Sequence, residues 1–424
     1  MKSKTRTALV SATLLIGPLL ASAAESDPLK EEIENLKSQN KIIMERLEAT
    51  ADMLESLQSG QSRPATTTEV THDHSMAGKG ALRDRTFGVH GTRGSTTIGA
   101  YGEMHYNNLK NKKAGGSDKK EMDFHRFILF MGHEFNEKTR FWSELEVEHA
   151  VIKDTDDGSN GGEVAIEQAF LEFDLTADTA VRAGIMLIPV GFINETHEPP
   201  TFYGVERNNV EKYILPTTWR EGGTGLTGRF ANSFSYDVVL HTGLQTSASN
   251  NYAVRKGRKG VSNAPASDLA MTARLNWIGV PGLVLGAAIQ RQSDITQGTD
   301  STAGAATLVS AHAAWQISRF TLRSVYASWN LNGSGPASVG ADKQSGWYVE
   351  PSWKFSPQFG IFARSSSWDN RVNSGSDTSY SQVDVGFNYW PHEDVVIKFD
   401  YQDQKAPAGA NEYDGFNVGL GYQF

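Results

Sequence analysis

The side chains able to do chemistry in this chain are carboxylates and guanidiniums spaced two residues apart. Glu144, Glu146 and Glu148 alternate with Leu145 and Val147, and Glu172 alternates with Leu171 and Phe173. Glu103 and the arginines Arg126, Arg182, Arg229, Arg274, Arg323 and Arg364 hold the corresponding phase of other alternating stretches. A period of two sends such residues to one face of a strand and the aliphatics to the other. Fixed charges gathered on one face attract or repel ions. Rings of carboxylate favour cations and rings of arginine favour anions, while both signs together can equally brace a wall through ion pairs. No pattern for covalent catalysis competes: G-x-S-x-G, H-E-x-x-H and a phosphate loop are absent, and the glycines at 222–228 lack a following Lys. Without Cys, disulfides, zinc–thiolate sites, iron–sulfur clusters and a cysteine nucleophile are excluded. His72-Asp73-His74 places two imidazoles and a carboxylate within three residues, which suits weak metal ligation and also an ordinary solvated linker. No cofactor is expected.

Four segments must position these residues. Lys2, Lys4 and Arg6 precede the apolar run Ala8 to Leu20, and Ala21-Ser22-Ala23 supplies a small-x-small cleavage pattern, so 1–23 reads as a secretory signal. Its removal takes away three basic and no acidic residues, moving the formal charge from -9 to -12. That balance gives no overall basic surplus for nucleic acid. In 25–59, Leu29, Ile33, Leu36, Asn40, Ile43, Leu47, Thr50, Leu54 and Leu57 keep alternating spacings of four and three, the seam of a coiled coil. Asn40 at an a position would set register, and the a/d set suits a trimer without excluding a dimer. Residues 60–94 read as a linker rich in Gly, Ser, Thr and Arg.

From residue 95 to 424 the chain breaks into about sixteen alternating stretches, each near the ~10 residues of a tilted transmembrane strand. Seven short links, such as Asn136-Glu137-Lys138, Ala231-Asn232-Ser233 and Ser356-Pro357-Gln358, separate eight longer polar segments near 107–122, 149–162, 192–223, 245–267, 293–306, 331–345, 369–380 and 404–413. Tight turns on one side and long loops on the other predict an all-β, sixteen-stranded antiparallel barrel in an outer membrane. In lipid an open sheet edge would leave backbone groups unpaired, so the sheet must close. Sixteen strands leave an aqueous bore. Tyr106, Trp277, Tyr389, Trp390, Tyr401 and Tyr422 are expected in the interfacial girdles, and Pro351 counts against the strand that contains it.

Several motifs resemble the phosphate-selective porin O and P family: Val181-Arg182-Ala183-Gly184 to Pro189-Val190-Gly191, then Glu206-Arg207, Trp219-Arg220 and Gly223 to Gly228. The terminal Gly421-Tyr422-Gln423-Phe424 resembles the aromatic signal, carried by Tyr422 and Phe424, that the barrel-insertion machinery recognises. The resemblance implies a homotrimeric outer-membrane porin whose third external loop folds inward as a constriction. Here that loop would hold Asn194, Glu195, His197, Glu198, Glu206, Arg207 and Arg220. The function expected is passive diffusion of small hydrophilic solutes, with phosphate among them by resemblance alone. The N-terminal segment would lie in the periplasm. Two alternatives stay open: a barrel that mainly anchors its coiled coil to a periplasmic partner, and a barrel hydrolase using carboxylates with His241 and His312.

Overall fold

The computed structural model describes residues 87–91, 94–151 and 161–424. The signal segment, the coiled coil with Asn40 and the His72-Asp73-His74 cluster lie outside the described residues. Seventeen strands follow one another: β1 Phe87–Gly91, β2 Gly94–Asn111, β3 Lys119–Asn136, β4 Thr139–Glu148, β5 Val164–Thr176, β6 Thr179–Leu187, β7 Arg220–Phe230, β8 Phe234–His241, β9 Ala270–Val280, β10 Leu283–Gln292, β11 Ala306–Ile317, β12 Phe320–Leu331, β13 Lys343–Ser356, β14 Phe359–Asp369, β15 Tyr380–His392, β16 Val395–Lys405 and β17 Tyr413–Gln423.

From β2 onward each strand pairs antiparallel with the next, and β17 returns to β2 with Tyr413 opposite Asn111 and Gln423 opposite Tyr101. Sixteen strands thus form a closed barrel. Ala100 and the terminal Phe424 complete the seam by exchanging two backbone hydrogen bonds of 2.9 Å. Below that seam β1 pairs with the start of β2, Phe87 opposite Ile98. A strand therefore stands where the sequence suggested only linker, because the extended β2 offers backbone partners that β17 is too short to reach.

Between β2 and β17, seven connections are turns of two or three residues, and eight are longer loops: L1 112–118, L2 149–163, L3 188–219, L4 242–269, L5 293–305, L6 332–342, L7 370–379 and L8 406–412. Ala231 and Asn232 in one turn adopt φ of 49° and 56°, the left-handed backbone that primed hairpin turns require. Strand β13 passes straight through Pro351, correcting the sequence expectation. Its pairing with β14 is interrupted between Val349 and Ser352, where the missing N–H is tolerated because the ladder resumes on both sides.

Outward positions are apolar. Leu171, Leu240, Ile289, Val385, Ile397 and Leu420 are all exposed on the isolated chain, where hydrocarbon would cover them. Trp315, Trp353, Tyr389 and Phe424 mark the turn end of this band; Tyr326, Trp347 and Tyr401 lie toward the loop end. Trp390 departs from the expected girdle. Neighbouring residues on a strand face opposite sides, so Tyr389 is 42% exposed while Trp390, 7% exposed, points inward and donates to the Pro200 carbonyl at 3.4 Å.

Inside, polar residues are spread along the wall, whereas Val239, Leu308, Ala327 and Trp329 form an apolar inner patch. L3 and L4 settle on it: Ile188, Val190, Ile214, Leu215 and Trp219 from one, Leu244, Tyr252 and Val254 from the other. The hydrophobic core of the molecule therefore lies within the barrel, between wall and infolded loops.

Candidate functional site

L3 is held at its base by one side chain. Asn194 donates from Nδ2 to the carbonyls of Ile188 (2.7 Å) and Trp219 (2.9 Å), and its Oδ1 accepts from the Trp219 N–H at 2.7 Å. Glu211 draws the loop together by accepting from the N–H groups of Phe192 (2.6 Å) and Ile193 (2.8 Å) at one oxygen, and from Asn208 and Tyr348 at the other (3.0 Å each). Gly191 is required there: it has φ of 62°, and a Cβ would strike the Glu211 carboxylate.

The middle of L3 is laid along the inner wall by wall side chains that donate to its carbonyls. Arg126 reaches His197 O (2.6 Å), Asn388 reaches Phe202 O (3.0 Å), Arg364 reaches Tyr203 O (3.4 Å) and Lys398 reaches Gly204 O (2.9 Å). Asp400 accepts from the Val205 N–H at 2.6 Å. These contacts come from β3, β14, β15 and β16, so L3 crosses the lumen instead of projecting beyond the rim. A helical turn, Val210–Tyr213, then leads back to the wall, where Trp329 Nε1 donates to Ile214 O at 2.9 Å.

Most sequence-nominated arginines meet carboxylates. Arg126 pairs with Glu103 (2.6 Å), Arg182 with Glu172 (2.7 Å), and Arg364 with Glu350 (3.1 Å) and Asp384 (3.0 Å). Arg274 pairs with Asp237 (2.6 Å) and with Glu195 of L3. Arg323 donates to the Thr201 carbonyl at 3.3 Å. Arg229 is exposed beside the turn at 231–233. Of the acidic set, Glu206 of L3 contacts His105 (3.2 Å), and Glu144 accepts from Gln168. Arg220 belongs to β7, correcting its assignment to the loop, because Leu187 of β6 pairs with it.

A second group of arginines is built differently. Arg207 from L3, Arg220 from β7, and Arg255 and Arg258 from L4 converge around residues 217–218. Arg207 donates to Thr218 Oγ1 (2.9 Å), Arg255 to the carbonyls of Lys212 (2.8 Å) and Thr217 (2.7 Å), and Arg258 to Thr218 O (2.7 Å). Among the described residues, one carboxylate approaches the four within ion-pair distance, Glu146 at 3.9 Å from Arg220. The Nε atoms of Arg207 and Arg220 are buried without a hydrogen-bond partner. Burial, and then repulsion from Arg255, Arg220 and Arg207, pushes the Arg258 guanidinium down to about 9, with Glu148 opposing. Arg255 is lowered by burial and by Arg207. Glu146 and Glu148 on β4 therefore face a basic cluster that is short of negative charge, which is the local demand an anion would meet.

Arg255 and Arg258 escaped sequence reasoning. The run Arg255-Lys256-Gly257-Arg258-Lys259-Gly260 was the available signal, a basic repeat inside a long loop. Glu167 also escaped, because β5 carries an extra residue between Ile166 and Gln168 opposite Leu145 and Glu144 of β4. Such a bulge resets the inward phase.

A family model described as phosphate-selective porin O and P matches residues 98–424. A protein from Aquifex aeolicus strain VF5 is 31% identical over 343 residues, covering 74% of this chain and 76% of that one. An anion-selective porin from Comamonas acidovorans has a TM-score of 0.55 at 12% identity, covering 78% of this chain and all of that one (100%). OmpF of Salmonella typhi, in complex with daunomycin, has a TM-score of 0.56 at 12% identity, with coverage of 80% and 100%. At these identities the structures share the barrel fold with this chain.

Proposed function

Because this chain belongs to the phosphate-selective porin O and P family and forms an outer-membrane diffusion channel, we propose that its constriction selects small anions, inorganic phosphate among them. The observation that carries this reading is the cluster of Arg207, Arg220, Arg255 and Arg258, which has a single carboxylate within 4 Å among the described residues. The paired arginines of the wall brace the barrel and fix L3, and these four, with one carboxylate between them, supply the selecting field. Guanidiniums suit this role: they stay charged at neutral pH and present planar N–H forks that match phosphate oxygens.

An anion passing the cluster exchanges water for hydrogen bonds from several donors, none of which holds it alone. Entry is favoured while exit stays fast, the balance a conducting site requires. The experiment is competition. Phosphate added to the bath reduces chloride current through the purified protein in planar bilayers with a saturating dependence, and the block weakens in Arg255→Gln/Arg258→Gln. Block that is absent, or equal in that variant, refutes the assignment.

Three further features belong to this reading: a homotrimer, a coiled coil on the periplasmic side, and delivery by the insertion machinery through the Tyr422 and Phe424 signal. The placement of the exposed aromatic Phe424 in the closing seam supports the last of these. The barrel-as-anchor alternative predicts no conductance and is separated from the channel by the same recordings.

A further inference from the structure

Behind L3, where the loop meets β4 and β5, lies a group of side chains that the conduction path does not use. Glu144 of β4, Glu167 at the β5 bulge and His197 of L3 are all buried, Glu167 fully (0% exposed). Each contributes one ligand atom to a set lying within 4.8 Å of one another. Five of their polar atoms, Glu144 Oε2, both Glu167 carboxylate oxygens and both His197 ring nitrogens, make no hydrogen bond. His197 Nε2 stands 3.5 Å from Glu167 Oε1. Arg126, the buried cation that holds the His197 peptide, is already engaged by Glu103 (2.6 Å), Tyr101 (2.9 Å) and the His197 carbonyl (2.6 Å).

Two buried carboxylates with three unsatisfied oxygens between them are costly unless a cation meets them. The local backbone is shaped for the arrangement. The bulge turns Glu167 inward out of phase with its strand, and Arg126 pins the peptide of His197 against the wall. A zinc-class ion binds imidazole nitrogen at ~2.0–2.1 Å and carboxylate oxygen at ~2.0–2.2 Å. Two such ligands in a tetrahedral shell stand ~3.4 Å apart, close to the 3.5 Å between His197 Nε2 and Glu167 Oε1. The donor set discriminates among metals: one imidazole with two carboxylates suits zinc or manganese, whereas calcium and magnesium take oxygen ligands.

We infer that Glu144, Glu167 and His197 form a binding site for a divalent transition-metal ion, which staples the constriction loop to the barrel wall. The ion's two positive charges balance the two carboxylates, and the site lies beside the pore without obstructing it. The role is structural: metal holds L3 at His197 against two adjacent strands.

The test uses the full-length protein refolded in detergent, stripped with chelator and titrated with zinc by calorimetry. The parent for the comparison carries His72→Ala, His74→Ala and His392→Ala. These changes remove the histidines of the N-terminal cluster and of the exposed His392-Glu393-Asp394 turn, the second group among the described residues that could hold a metal. One zinc per chain is expected, with affinity reduced at least ~10-fold in each of Glu144→Gln, Glu167→Gln and His197→Gln. Heat-modifiable gel migration and single-channel conductance establish that each variant is folded. Zinc should also raise the temperature at which the parent loses its folded migration, and should not do so in Glu167→Gln. No zinc uptake by the parent, unchanged affinity in folded Glu144→Gln and Glu167→Gln, or calcium binding as tight as zinc would each overturn the proposal.

Discussion

Replacing Arg255 and Arg258 together by Gln should convert a strongly anion-preferring channel into a weakly selective one. Both side chains lie in L4 and donate to L3 carbonyls at 2.7–2.8 Å, so Gln keeps polar contact while removing charge. An ion passing ~6 Å from a guanidinium through water feels ~0.7 kcal/mol. At 0.15 M salt a Debye length of ~8 Å cuts this by about half, to ~0.3 kcal/mol. One charge then raises anion occupancy ~1.7-fold and lowers cation occupancy by the same factor, a ~3-fold change in permeability ratio. Two charges give ~9-fold, and lower salt enlarges the effect. The assay is the zero-current potential of reconstituted protein across a potassium chloride gradient, beside Arg255→Lys/Arg258→Lys, which keeps charge and should keep selectivity. A Gln variant whose ratio stays within ~2-fold of the parent, with parental conductance, would refute the claim that this cluster sets the field.

Leu420 faces outward between Ile397 and Met104, so Leu420→Arg should destabilise the barrel by ~2–4 kcal/mol in urea unfolding from lipid vesicles; wild-type stability would mean that the faces are reversed. Arg258→Gln alone should lower the anion-to-cation permeability ratio ~3-fold, and an unchanged ratio would assign the field elsewhere. Asn194→Ala removes three hydrogen bonds at the base of L3. It should raise open-channel current noise without unfolding the barrel, and quiet parental recordings would show that the base is held by other contacts.

The barrel was legible because each strand obeys one rule: alternation fixes the faces, and connection length fixes the ends. Leu171, Glu172 and Leu420 needed no tertiary information. Residues whose position depends on backbone outside that rule were not legible. Glu167 sits at a bulge, and Trp390 followed alternation against its apparent girdle role. Val181-Arg182-Ala183-Gly184 was visible as a motif, but its glycine is explained only by the fold: at φ of 138° its Cβ would collide with the Ala169 carbonyl across the strand pair. The path of L3 was expected to turn inward, yet the hydrogen bonds that lay it down come from Arg126, Asn388 and Lys398, hundreds of residues apart in part and linked by no sequence pattern. The same holds for L4, whose arginines reach the constriction because Leu244, Tyr252 and Val254 bury themselves inside the barrel.

The most direct measurement is a bilayer recording of the unmodified protein under a salt gradient. Stepwise conductance with a zero-current potential displaced toward the chloride equilibrium value is the result required by an aqueous bore lined by four under-compensated arginines. A membrane that stays silent, or a potential displaced toward the potassium value, would contradict it.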